Sequence, residues 1–227
     1  MFKSEVWSCP GTACNTGGGI GDFCPPPCEP GLECDIQTSQ CSPQGCPIII
    51  SDRGNTLPLT DPENGVNFDL NSDGFAEPLS WTAEGEDDAF LVMDRNGNGR
   101  IDDGTELFGN FTPQPASEVP SGFLALAVFD GVSEGGNEDG WITSEDQVFN
   151  LLQLWADINH DGVSESNELT TVTDSSIEGI DLGYYESGRV DRYGNRFRYT
   201  SRVLRERTPG SPPVVTFAVD VFFILEP

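Results

Sequence analysis

From residue 47 onward, short apolar runs alternate with clusters of Gly, Asp and Asn. Ile48-Ile49-Ile50, Val66-Asn-Phe-Asp-Leu70, Leu79-Ser-Trp-Thr82 and Ala89-Phe-Leu-Val-Met93 have the length and the β-branched or aromatic content of strands that end in polar loops. Residues 122–129 and 144–155 have helical spacing instead, with Val148, Leu151, Leu152 and Trp155 on one face behind Ser144 as N-cap. Strand patterns return at 177–185, 196–204 and 214–225, divided by turns at Tyr193-Gly194-Asn195 and 208–213. The pattern predicts an α+β fold of short antiparallel strands and a few helices.

Residues 1–46 lack that periodicity and are rich in Cys, Gly and Pro. All seven cysteines of the chain (Cys9, Cys14, Cys24, Cys28, Cys34, Cys41 and Cys46) lie there, which reads as an irregular, disulfide-stapled segment. A zinc site is the weaker reading, because Cys24-Pro-Pro-Pro-Cys28 is a stiff spacer with no His beside it. The odd count leaves one thiol over, and the pairing cannot be read from spacing. Two domains are expected, the Cys-rich segment at 1–46 and an α+β module at 47–227.

The most specific motif is Asp157-Ile-Asn159-His-Asp161-Gly162-Val163-Ser-Glu165-Ser-Asn-Glu168, which matches a twelve-residue EF-hand loop. Oxygen side chains occupy positions 1, 3, 5, 9 and 12, and Gly162 occupies position 6, where the backbone bends sharply. Position 7 supplies a carbonyl, so Val163 is permitted there, and Glu168 can give two oxygens and close the cage. A hard cation needs about six to eight oxygens at about 2.3–2.6 Å, and a short loop converges them by alternating its side chains.

Three further segments repeat the alternation. Asp69, Asn71, Asp73, the Phe75 carbonyl and Glu77 form one, with Ser80 at position 12. Asp94, Asn96, Asn98, the Arg100 carbonyl and Asp102 form another, with Thr105 at position 12 and Glu106 next to it as the expected closing carboxylate. In the third, Asn137, Asp139, the Trp141 carbonyl, Thr143 and Asp146 match from position 3 onward. Asp130 is expected to fold back across a Gly-rich insertion to serve as position 1. The elements are thus expected to be organised around EF-hand-like calcium loops, with one helix running from the third of these loops into the loop at 157–168.

Charge supports this picture and narrows the partners. The chain has 38 acidic and 11 basic residues, a formal charge of −27, which disfavours nucleic acid because phosphate contacts need Lys and Arg. Seven arginines fall between Arg189 and Arg207. Arg196, Arg198 and Arg202 alternate with Phe197, Tyr199 and Val203, which places guanidinium groups on one solvated strand face. No run reaches the roughly 18 apolar residues of a membrane span. The start Met-Phe-Lys-Ser-Glu-Val-Trp lacks the apolar core of a signal peptide, yet the cysteines imply an oxidising compartment, so the chain is read as soluble and exported.

Pro47-Ile-Ile-Ile, Asp69-x-Asn-x-Asp-Gly, the block Asp94-Arg-Asn-Gly-Asn-Gly-Arg-Ile-Asp-Asp-Gly-Thr-Glu-Leu-Phe-Gly109, Gly122-Phe-Leu-Ala-Leu and Leu154-Trp-Ala-Asp-Ile-Asn-His-Asp-Gly-Val-Ser-Glu165 together resemble the calcium-binding self-processing module of iron-regulated RTX proteins secreted by Gram-negative bacteria. The resemblance spans roughly 47–185 and extends more loosely to 225. It implies a mixed αβ fold organised by calcium and, in some members, calcium-triggered cleavage of an Asp-Pro bond at the start of the module. Here Cys46 stands where the scissile Asp would be, and a Cys side chain cannot form the cyclic anhydride that cleavage needs.

The expected function is therefore an extracellular, bacterial, calcium-binding structural or adhesion module, with self-association or a cell-surface partner as its interaction. The alternatives are autoprocessing at Asp61-Pro62 and a carbohydrate-binding platform of Trp81, Tyr184, Tyr185 and Tyr193. No catalytic residue is expected, because His160 is the single His and lies inside a calcium loop.

Overall fold

The computed structural model describes residues 32–35, 40–43, 45–51, 56–206 and 212–225. The chain divides into two compact units, Met1–Gln44 with Pro227, and Gly45–Glu226. The described part of the first is an antiparallel hairpin of β1 (Leu32–Asp35) and β2 (Gln40–Pro43). Most of the disulfide-stapled segment expected at 1–46 and residues 208–211 of the turn expected at 208–213 lie outside the described residues.

Eleven strands build the second unit: β3 (Ile48–Ser51), β4 (Val66–Phe68), β5 (Glu77–Leu79), β6 (Ala89–Val92), β7 (Trp141–Thr143), β8 (Gln153–Trp155), β9 (Leu169–Thr171), β10 (Ile177–Asp181), β11 (Tyr185–Val190), β12 (Arg196–Arg205) and β13 (Val214–Phe222). β4 and β5 pair as a separate hairpin. The other nine form one sheet in the order β7-β10-β12-β13-β3-β6-β8-β9, with β11 also paired to β12. Every strand pairing is antiparallel.

This sheet overturns the expected α+β class. Among the described residues one α-helix is present, α1 (Gly122–Ala127), six residues long. It is capped by Ser121, whose side chain accepts the Leu124 N–H at 3.3 Å. The second expected helix, at 144–155, is a 3-10 turn at Gln147–Asn150 followed by strand β8. No helix therefore joins the third loop to the fourth, and the acidic loops are not held in helix-loop-helix units.

The cause is a sheet covered on both faces. Ile48 and Ile50 enter one core with Leu91, Leu154 and Phe123, while Ile49 enters a second core with Phe90, Val92 and Trp155. Each of β3, β6 and β8 thus alternates between two apolar environments and reads in sequence as an unbroken apolar run, which periodicity cannot distinguish from a buried helix. Leu152, Leu154 and Trp155 satisfy this double burial, whereas Leu151, assigned to the helical stripe, is exposed. Burying each large side chain contributes about 1.5–3 kcal/mol, enough for the cores to outweigh local helix preference.

The second core is rich in aromatics. Trp81 packs against Phe68, Phe90, Trp155 and Phe223 with ring centroids 4.4–5.7 Å apart. Trp81 is 0% exposed, so the carbohydrate platform that needed it on the surface is absent.

Candidate metal-binding loops

The four acidic loops cap strands. The first links β4 to β5, with Phe68 opposite Glu77, and the fourth links β8 to β9, with Trp155 opposite Leu169. The second leaves β6 and returns through an antiparallel bridge of Val92 with Leu107. A twelve-residue loop that brings its first and last positions together closes a hairpin as readily as it joins two helices. The third leads into β7 from the 3-10 turns that follow α1.

All four share one backbone course. Position 6 is a glycine at positive φ in each: Gly74 (93°), Gly99 (82°), Gly140 (83°) and Gly162 (73°). Position 4 is also left-handed although its residue type varies: Ser72 (61°), Gly97 (73°), Glu138 (58°) and His160 (57°). A side chain at such φ is uncommon and persists where surrounding bonds hold it.

Those bonds centre on the position-1 carboxylate. Asp69 accepts the N–H groups of Asp73 (3.0 Å) and Gly74 (2.9 Å), and Asp94 those of Asn98 (3.2 Å) and Gly99 (2.8 Å). Asp157 accepts those of Asp161 (3.2 Å) and Gly162 (2.9 Å). Asp130, nine residues before Asp139, accepts the N–H groups of Asp139 (3.2 Å) and Gly140 (3.0 Å) in the same way. Asn71, Asn96, Asn137 and Asn159 at position 3 each accept the position-5 N–H.

The loops differ at their closing end. Glu168 accepts the N–H groups of Ile158 (2.9 Å), Asn159 (3.3 Å) and Glu165 (3.3 Å). Glu106, one residue later in its loop than Glu168, repeats the pattern with Arg95 (2.9 Å), Asn96 (3.3 Å) and Asp102 (2.9 Å). In the third loop Asp146 takes the Thr143 N–H at 2.8 Å, and its other oxygen is buried without a hydrogen-bond partner. The first loop has no closing carboxylate, since Ser80 turns away to the Ile224 carbonyl at 3.2 Å. Phe75, Arg100, Trp141 and Val163 occupy position 7, with Phe75 largely exposed.

Electrostatics follow from these bonds. Burial alone would raise the Glu168 carboxyl, but the donated N–H groups of Glu165, Asn159 and Ile158 hold it below the usual range. Glu165 is raised by desolvation, by its bond with Glu168 and by the charges of Asp161 and Glu168. Glu77 is raised by burial and then by Asp73. Among the described residues no three His, Cys, Asp or Glu side chains gather at metal-holding spacing. A cage at any of these loops therefore also requires the Asn amides and a peptide carbonyl. Such an all-oxygen set, with a buried and unpartnered Asp146 oxygen in the third loop, fits a hard divalent cation.

Two side chains outside the motif pattern fix the fourth loop to the core. The Trp81 indole N–H donates to Asp157 Oδ2 at 2.8 Å, and the Trp155 indole N–H to Glu168 Oε2 at 3.4 Å. Residue 81 lies 76 positions from Asp157, so local spacing gives no sign of the contact.

At the start of the second unit, Cys46 is buried and its thiol is free. Burial raises its pKa well above the ordinary value and Asp220 raises it further, which disfavours the thiolate. Asp220 accepts the Gly122 N–H at 3.0 Å, has one buried oxygen without a partner and is pushed up to about 7 by burial. Arg198 lies beside the thiol and donates to the Pro120 carbonyl at 2.9 Å, while Arg202 pairs with Asp181 at 2.5 Å. Of the arginines expected on one solvated face, Arg196 and Arg202 are exposed and Arg198 is half-buried. Asp61, which precedes Pro62, accepts the Asn64 N–H at 2.9 Å as the cap of a short 3-10 turn.

A family model described as the SPM domain matches residues 48–212. The chain is also 38% identical over 132 residues to iron-regulated protein FrpA of Neisseria meningitidis serogroup C. That stretch covers 58% of this chain and 11% of the relative, so the chain corresponds to a small part of the longer protein.

Proposed function

The chain belongs to the SPM domain family, and from that premise we propose that it is a calcium-stabilised structural module of an extracellular bacterial protein. The observation that carries the reading is the shared loop course: four segments of different sequence and strand context repeat the two left-handed positions and the same N–H donation to a position-1 carboxylate. Bound calcium would supply positive charge that offsets the crowded carboxylates. Asp157, Asn159, Asp161, the Val163 carbonyl, Glu165 and Glu168 would hold it in the fourth loop, and the corresponding residues in the other three. Four carboxylates against three in each of the others make the fourth loop the strongest, and the want of a closing acid makes the first the weakest.

The reading assigns no catalytic step. The buried Cys46 thiol does not replace the Asp that family-type processing would use, and Asp61 is engaged as a turn cap. No helix among the described residues is long and apolar enough to cross a membrane. Secretion, adhesion and self-association are further parts of the proposal. Calorimetric titration of the chelator-treated chain with calcium tests the core of it: about four ions are expected, and an absence of binding at millimolar calcium overturns it.

A further inference from the structure

Loops that are separate in sequence are hydrogen-bonded to one another in space. Position 8 of the second loop is Ile101, and position 8 of the fourth is Ser164. The Ile101 N–H donates to Ser164 Oγ at 2.7 Å, and that hydroxyl donates to the Ile101 carbonyl at 3.3 Å, with both residues buried. One side chain thus satisfies both backbone groups of Ile101. The residues on either side are candidate ligands: Arg100 and Asp102 flank Ile101, and Val163 and Glu165 flank Ser164.

The first loop is tied to the second by a different set of bonds. Gly104 N–H donates to the Asp69 carbonyl at 2.8 Å, Ser72 Oγ donates to Asp103 at 2.9 Å, and Thr105 N–H donates to Ser72 Oγ at 3.1 Å. No described hydrogen bond joins the third loop to the other three. Its outward bond runs from the Leu182 N–H to the Gly140 carbonyl at 3.0 Å, beside the β7–β10 pairing.

We propose that the second and fourth loops bind calcium as a coupled pair through Ser164, while the third binds independently. Ser164 is a positioning residue: it holds the peptides bearing the position-7 and position-9 ligands of one loop against those of the other. This rests on the calcium reading above. An ion that orders the 100–102 segment pre-orders 163–165 through the buried hydroxyl, so the second ion pays less of the ordering entropy. The coupling acts equally in both directions.

The experiment is a calcium titration of the full chain in a Trp7→Phe, Trp141→Phe background, which leaves Trp81 and Trp155 as the emitting tryptophans to report the fourth loop, with calorimetry counting the ions. Asp94→Ala, which disables the second loop, is expected to weaken the fourth by about 5-fold or more, while Asp139→Ala in the third shifts it by less than about 2-fold. Ser164→Ala is expected to abolish the effect of Asp94→Ala. Equal effects of Asp94→Ala and Asp139→Ala overturn the coupling, as does an unchanged Asp94 effect in Ser164→Ala. Should Ser164→Ala fail to fold, the Asp94 and Asp139 comparison still decides. Normal ion counts with independent titrations refute the coupling alone, whereas no heat and no emission change in the unmutated loops refute the calcium reading with it.

Discussion

The fourth loop and the sheet around Asp220 both bury carboxylates, and they handle the charge in opposite ways. Glu168 accepts three peptide N–H groups, which hold its pKa down despite burial. Asp220 accepts one, from Gly122, and burial pushes it up to about 7 even with Arg198 near. A buried carboxylate is set by how many donors face it rather than by depth alone. Glu168 is therefore arranged to stay charged, and Asp220 is arranged to be neutral over part of the physiological range.

That contrast breaks first under chelation. With three or more sites loaded about 100-fold above Kd, removing the ions costs about 8 kcal/mol, which at about 2–4 °C per kcal/mol lowers Tm by roughly 15–30 °C. A thermal melt in chelator that matches the melt in calcium would erase the distinction between the two regions.

The second test is pH. The folded pKa of Asp220 lies above its unfolded value of 3.8, so the stability linked to its neutral form is present below that value and is lost as pH rises through about 7. The loss amounts to at most about 4 kcal/mol, because each tenfold difference in proton affinity between the folded and unfolded chain is worth about 1.36 kcal/mol. Asp220→Asn should flatten the fall in Tm between about pH 5 and 7 at saturating calcium. A slope identical to that of the unmutated chain would show that Asp220 does not titrate in this range.

Within the loops, Glu168→Gln should lower the stability of the calcium-loaded protein by about 2.7 kcal/mol, the value of a site saturated about 100-fold. Glu77→Gln in the first loop should cost less than about 1 kcal/mol at the same calcium concentration, because that site lacks a closing acid. Denaturant melts of the two variants compare the loops directly, and equal losses would refute the ranking. At the core side of the fourth loop, Trp81→Phe removes one hydrogen bond to a charged acceptor, worth about 1.5–3 kcal/mol, and is expected to weaken calcium binding at the fourth loop while sparing the third.

Much of the loop chemistry was legible in the residues because it is local. The alternation of oxygen side chains, the glycine at position 6, and the positions of Glu106 and Asp130 depend on chain separations of 16 residues or fewer. The left-handed course of position 4 carried no residue signal, since Ser, Gly, Glu and His all occupy it. The helix expected at 144–155 failed for a non-local reason. Leu154 and Trp155 face two cores built from strands far away in sequence, and the apolar spacing looked the same before those strands were in place.

The sequence by itself determined where oxygen side chains alternate around a sharp bend, because a twelve-residue loop is local in the chain. The tertiary structure alone decided that these loops cap strands, that two indoles hold the fourth against an aromatic core, that Ser164 joins it to the second, and that Cys46 and Asp220 share the interior. Those are contacts between residues as many as 174 positions apart, made when burial of both sheet faces brings the strands together.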